Sequence, residues 1–112
     1  MEGAPTLGQD RPPAWTVVVP VKGGAAAKSR LGPQGAHRAA LARAIALDCV
    51  TAVLACDVVA RVVVVSGDGG VRSDAAALGA VVVAERHPGL LGAVADGLSA
   101  AGDGLVAVLL GD

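Results

Sequence analysis

Lys22, Lys28 and Arg30 are the residues of this chain best equipped for chemistry. They sit in WTVVVPVKGGAAAKSRL, residues 15–31, and the two lysines are the only ones in the sequence. From Arg11 to Leu47 there are six basic residues and no acidic one. A lysine is a compact point charge, and an arginine is a planar fork that grips two phosphate oxygens at once. The amides of Gly23 and Gly24 can approach an anion with no Cβ in the way. A buried strand that ends in a cationic, glycine-rich loop is a common way to hold a nucleotide's phosphates. A solvated basic surface loop is the competing reading. The segment is neither a GxxxxGK[ST] loop nor a GxGxxG turn.

Asp112 follows the apolar run VAVLLG. A carboxylate at a strand's end, facing a basic loop, suits Mg²⁺, which binds carboxylate and phosphate oxygens and keeps several waters. Gly-Asp can equally be a plain turn. The loop Ser66-Gly67-Asp68-Gly69-Gly70 follows another apolar run and could meet a base or a ribose. Capping the helix that follows is the stronger reading of Asp68. His87 precedes Pro88 and is expected to be extended and exposed. A catalytic histidine needs an oriented partner, and the sequence names none. Asp96 and Asp103 read as solvent-facing helix residues.

These groups must be positioned by a regular scaffold. Apolar runs cover Trp15 to Val21, Val58 to Ser66, Ala80 to Ala84 and Leu105 to Leu110. Continuous β-branched runs mark strands buried on both faces. Between them, helices are expected over Gly35 to Cys56, Val71 to Leu78 and Leu90 to Ala101. Leu41, Ile45, Cys49, Ala52 and Cys56 would form the apolar face of the first helix, with Arg38, Arg43 and Asp48 elsewhere on the wheel. Gly79 is expected to end the second helix in a left-handed C-cap. In the third, Leu90 or Leu91, Val94 and Leu98 would share a face, and Gly92 and Gly97 would each cost up to ~1 kcal/mol relative to Ala. The alternation implies an α/β fold: a doubly wound, mostly parallel sheet in the order 3-2-1-4, with helices on both faces and right-handed crossovers. The winding reverses between the first and fourth strands, so their carboxyl ends form the binding crevice. Lys22 and Asp112 would stand on its two lips.

One domain fits 112 residues. Residues 1–14, polar and rich in Pro and Gly, read as a disordered tail, and residues 15–112 as part of one domain apparently truncated after its fourth strand. The chain is 54% hydrophobic with one Trp and no Phe or Tyr, so the core must be built from small branched side chains. A net charge of -1 supplies no field toward nucleic acid. The lack of aromatics also argues against base-stacking single-strand binders. No apolar run approaches the ~18 residues of a membrane span, and no signal peptide is evident. Cys49 and Cys56 lie seven apart on one helix, roughly 10 Å by helical rise, too far to bridge. Two reduced, buried thiols in a cytoplasmic protein are expected.

Taken in order, VPVKGGAAAKSRLGP, ALARAIALDCVTAV, RVVVVSGD, LGAVVVAE, GLLGAVADGL and VAVLLGD resemble the N-terminal half of one family. It is the phosphoenolpyruvate or 2-phospho-L-lactate guanylyltransferases of coenzyme F-420 biosynthesis. The resemblance runs from Trp15 to Asp112, and the Ala-, Val- and Arg-rich composition fits an actinobacterial source. It implies a nucleotidyltransferase fold related to glycosyltransferase type A domains. It implies transfer of GMP from GTP to a phosphorylated three-carbon acid with release of pyrophosphate. By the same resemblance Lys22, Lys28 and Arg30 would grip the GTP phosphates, and Asp112 would be the first metal ligand, for Mg²⁺, with the remaining ligands lying beyond it. Lys22, Lys28 and Asp112 form the implied catalytic set. The implied nucleotide contacts are Val19, Pro20, Lys22, Gly23, Lys28, Arg30, Ser66, Asp68 and Leu91. At the last of these many members carry Asn, where this chain has Leu91 followed by Gly92. The partners implied are GTP and the acceptor acid, with no nucleic acid and no membrane, and a homodimer is compatible. A molybdenum-cofactor or sugar-phosphate nucleotidyltransferase is the alternative enzyme, but those open with a Gly-Gly-x-Ser-x-Arg-Met type loop that Gly23 and Gly24 do not continue. An inactive fragment or non-catalytic nucleotide-binding module is the alternative of another class.

Overall fold

A computed structural model describes residues 14–22, 35–87 and 89–110. Seven elements alternate: β1 (Trp15–Pro20), α1 (Gly35–Leu54), β2 (Val59–Ser66), α2 (Gly69–Leu78), β3 (Val81–Ala84), α3 (Gly89–Ala101) and β4 (Val106–Val108). The four strands form one sheet in the order β3-β2-β1-β4, and every pairing is parallel. This is the expected topology, with β1 and β4 adjacent at the reversal of winding.

The central strands are valine runs because both faces of the sheet are covered. On one face Val17, Val19, Val21, Val62 and Val64 pack under α1 and α2 through Ala46, Val50, Val71 and Ala75. On the other, Val18, Val63 and Val65 meet Ala93 and Ala101 of α3. Side chains alternate across a strand, so adjacent valines of β1 and β2 serve opposite cores.

The helix faces differ from those expected. In α1 the buried residues are Ala46 and Val50, while Leu41 and Ile45 are exposed. Apolar residues surround this helix, so their pattern does not fix its rotation. Arg43 lies toward α2: its Nε donates to Asp74 Oδ2 at 3.0 Å, and Nη2 bonds the same oxygen. In α3 the small residues Ala93, Gly97 and Ala101 face the sheet, and Leu90, Leu91 and Leu98 are exposed. A Cβ on Gly97 would overlap Val18 Cγ1 and stand 3.0 Å from Val65 Cγ2, so glycine is what lets α3 reach β1. Arg61 Nη2 donates to the Ala101 carbonyl at 2.5 Å and satisfies the end of α3.

The α2 caps follow expectation. Asp68 Oδ1 accepts from the N–H groups of Gly70 at 2.8 Å and Val71 at 3.3 Å. Gly79 closes the helix in the left-handed region at φ 106°. Both cysteines are free, but they are not the buried pair on one helix expected from the sequence: Cys49 is only half-buried, and Cys56 is exposed in the turn that follows α1, which ends at Leu54. Among the described residues no helix is long and apolar enough to cross a membrane.

Candidate functional site

The carboxyl ends of the parallel strands form one edge, stitched beyond the strands by backbone hydrogen bonds. Val21 N–H donates to the Val65 carbonyl at 2.9 Å, Glu85 N–H to the Ser66 carbonyl at 3.2 Å, and Leu109 N–H to the Val18 carbonyl at 2.9 Å. The residues leaving β1, β2, β3 and β4 are therefore collected on a single lip.

From β1 this edge receives Lys22, exposed just past the buried Val19, Pro20 and Val21. Val19 and Pro20 bring backbone to the edge, while the Val19 side chain belongs to the core. Gly23, Lys28 and Arg30 lie outside the described residues, as does Asp112 after β4.

From β2 the edge receives Ser66, fully buried, and Asp68. Ser66 Oγ accepts the Asp68 N–H at 3.1 Å, and Arg72 Nη1 donates to the Ser66 carbonyl at 2.6 Å. Asp68 caps α2 and lies beside the Arg43 guanidinium: both Arg43 Nη atoms and Asp68 Oδ1 approach the place where a Gly70 Cβ would sit, at 3.1 and 3.2 Å. Leu91, in the first turn of α3, is 85% exposed.

The turn after β3 brings a hydrogen-bonded polar group to the edge. Asp96 of α3, its side chain only 6% exposed, reaches back to the β3–α3 turn. Its Oδ2 accepts the N–H groups of Arg86 at 2.7 Å and His87 at 3.0 Å. Its Oδ1 lies 2.6 Å from His87 Nδ1. The Arg86 N–H, the His87 ring and the His87 N–H together outweigh burial and hold the Asp96 carboxyl well below the usual carboxylate range, at about 2. Asp96 is thus no solvent-facing helix residue, and His87, exposed as expected, does have an oriented partner. Asp103, by contrast, is exposed and lies past the end of α3. Gly92 lets the turn close, since a Cβ there would lie 2.5 Å from the His87 carbonyl oxygen.

Residues 15–112 match the family described as Guanylyl transferase CofC like. The chain belongs to that family. It is similar to the phosphoenolpyruvate guanylyltransferase of Salinispora arenicola, 50% identical over 102 residues that cover 88% of this chain and 47% of that protein. It is also similar to those of Streptosporangium roseum, 51% identical over 84 residues, 74% of this chain and 38% of that protein, and of Streptomyces coelicolor, 51% over 81 residues, 70% and 38%. The chain spans less than half the length of these curated relatives.

In this CofC-like chain the edge combines a cation on β1, a capped loop on β2 and a carboxylate-held imidazole on β3. Sequence reasoning missed Asp96 and its link to His87. The available signal was an aspartate within a helix face otherwise made of Ala93, Gly97 and Ala101, where an acid is buried only when several donors meet it.

Among the described residues no three His, Cys, Asp or Glu side chains form a metal-holding group. Asp112, the residue expected to hold Mg²⁺, lies outside the described residues.

Proposed function

We propose that this chain supplies the nucleotide-holding part of a guanylyltransferase that moves GMP from GTP to phosphoenolpyruvate or 2-phospho-L-lactate, with release of pyrophosphate, in the biosynthesis of coenzyme F-420. The observation that supports the reading is the β3-β2-β1-β4 order, with Lys22 just past β1 where β1 and β4 are neighbours, in a chain about half identical to relatives named phosphoenolpyruvate guanylyltransferase.

In such a transfer an acceptor phosphate oxygen attacks the α-phosphorus of GTP while pyrophosphate leaves from the opposite side. Both substrates are polyanions, so positioning and charge neutralisation do most of the work. Lys22, exposed just past the buried strand β1, offers a charge at the carboxyl edge of the sheet, and Lys28 and Arg30 are the further cations proposed to close on the triphosphate. Asp112 is proposed to hold Mg²⁺, which when bound would neutralise phosphate charge. No nucleophilic side chain is required.

The decisive assay is pyrophosphate release by the whole protein from GTP and Mg²⁺ in the presence of each acceptor. Release that depends on phosphoenolpyruvate or 2-phospho-L-lactate supports the proposal and identifies the acceptor. No release with either sinks it. The 112-residue chain alone is expected to bind GTP and to turn over weakly or not at all.

A further inference from the structure

The His87–Asp96 pair has a chemical direction that follows from counting donors. Asp96 receives two backbone N–H groups on Oδ2 and faces His87 Nδ1 through Oδ1. The N–H groups on Oδ2 help hold the Asp96 carboxyl ionised, so Oδ1 has no proton to give and Nδ1 carries the hydrogen. In the neutral ring Nε2 then holds the lone pair and acts as an acceptor.

Nε2 makes no hydrogen bond among the described residues, and the side chain is 68% exposed. The ring contact is not needed to hold the turn, because Oδ2 already fixes both backbone N–H groups. The pair therefore presents a fixed acceptor at the sheet edge. A lone pair does not bind phosphate oxygens, which are acceptors themselves; it seeks an O–H or N–H.

Its place in the sheet says which part of a nucleotide could offer one. His87 follows β3, two strands away from β1, or about 10 Å at ~4.8 Å per strand. From Lys22 a nucleotide could extend its nucleoside toward β4 or toward β2 and β3; of the two sides, the β2–β3 side is the one where the described residues present an unpaired acceptor, His87 Nε2.

Resting on the guanylyltransferase reading, we propose that His87 Nε2 accepts a hydrogen bond from the nucleoside of the bound guanine nucleotide. The donor is a ribose hydroxyl or an N–H of the base. Asp96 is the positioning residue that holds the ring in the accepting tautomer.

Nitrogen-15 NMR of the imidazoles tests this on the unmodified chain, at about pH 8, where histidine is ordinarily neutral. The chain has two histidines, so His37 serves as the reference. The expected free spectrum shows His87 as the Nδ1–H tautomer. GTP should shift its Nε2 resonance, inorganic tripolyphosphate should not, and His37 should stay put. Loss of the shift with inosine triphosphate would assign the donor to the base amino group, and loss with 2′-deoxy-GTP to the ribose. If GTP moves the Lys22 amide but not His87 Nε2, the inference fails while the nucleotide reading stands. If GTP moves neither, both fail. A shift produced by tripolyphosphate alone also overturns the inference.

His87→Ala should weaken GTP binding about five- to tenfold, the scale of one hydrogen bond, without changing tripolyphosphate affinity. Equal losses for both ligands would overturn the assignment. Asp96→Asn should raise the Nε2–H tautomer of His87, a signature that a purely structural role would not produce; should that variant fail to fold, the spectra of the unmodified chain decide.

Discussion

Gly97 of α3 lies so close to Val18 of β1 that a Cβ at position 97 would overlap the Val18 Cγ1 methyl. Val18 is fully buried, so it cannot swing aside into solvent. This one approach sets how near α3 comes to the sheet, and hence how Asp96, one residue earlier on the same helix, reaches the turn after β3.

Gly97→Ala should therefore destabilise the fold despite the better helix propensity of alanine. The propensity gain is up to ~1 kcal/mol, and forcing a methyl into a filled core costs about 1–3 kcal/mol, with the upper end expected against two rigid strands. A net loss of about 1–2 kcal/mol should appear in urea unfolding. A stabilised variant would mean that α3 does not pack on β1 as described.

Asp68→Ala should cost about 1 kcal/mol, the ordinary value of an N-cap, because Asp68 Oδ1 receives the first N–H groups of α2. Asp68→Asn keeps an accepting oxygen and should recover most of the loss in the same unfolding experiment. A role confined to ligand binding predicts instead no stability change for either variant.

Asp96 predicts an acid limb. Its carboxyl is held at about 2 in the folded chain against an ordinary 3.8, chiefly by the Arg86 N–H and then by the His87 ring. The unfolded chain takes up this proton first as pH falls, so protonation favours unfolding. The contribution is fully present above about pH 4 and is lost as pH falls toward about 2. Thermal unfolding across that window should show Asp96→Asn with a shallower pH dependence than the parent chain. Identical slopes would remove Asp96 as a source.

Lys22→Ala should weaken GTP binding by about tenfold, near 1.4 kcal/mol for a charge-assisted contact, and leave the unfolding midpoint unmoved because the side chain is exposed. Lys28→Ala should also weaken binding. Calorimetric titration of both variants with GTP checks this; unchanged affinity in both would take the basic loop out of the site.

The sequence by itself determined the sheet. Valine runs at β1 and β2 read as strands covered on both faces, and strands alternating with helices imply parallel pairing, so the order β3-β2-β1-β4, with β1 and β4 adjacent, was legible in advance. So were the α2 caps, because Asp68 and Gly79 act on neighbours within a few residues. Tertiary structure alone decided the rotation of α1 and α3. Apolar residues surround α1, so the choice of Ala46 and Val50 over Leu41 and Ile45 came from which side chains fit a sheet of small valines. In α3, the glycine that looked like a weakness is the residue that fits. The His87–Asp96 bond was decided there too: an acid and an imidazole nine positions apart meet only when a turn folds one onto a helix whose facing is set by Gly97 against Val18.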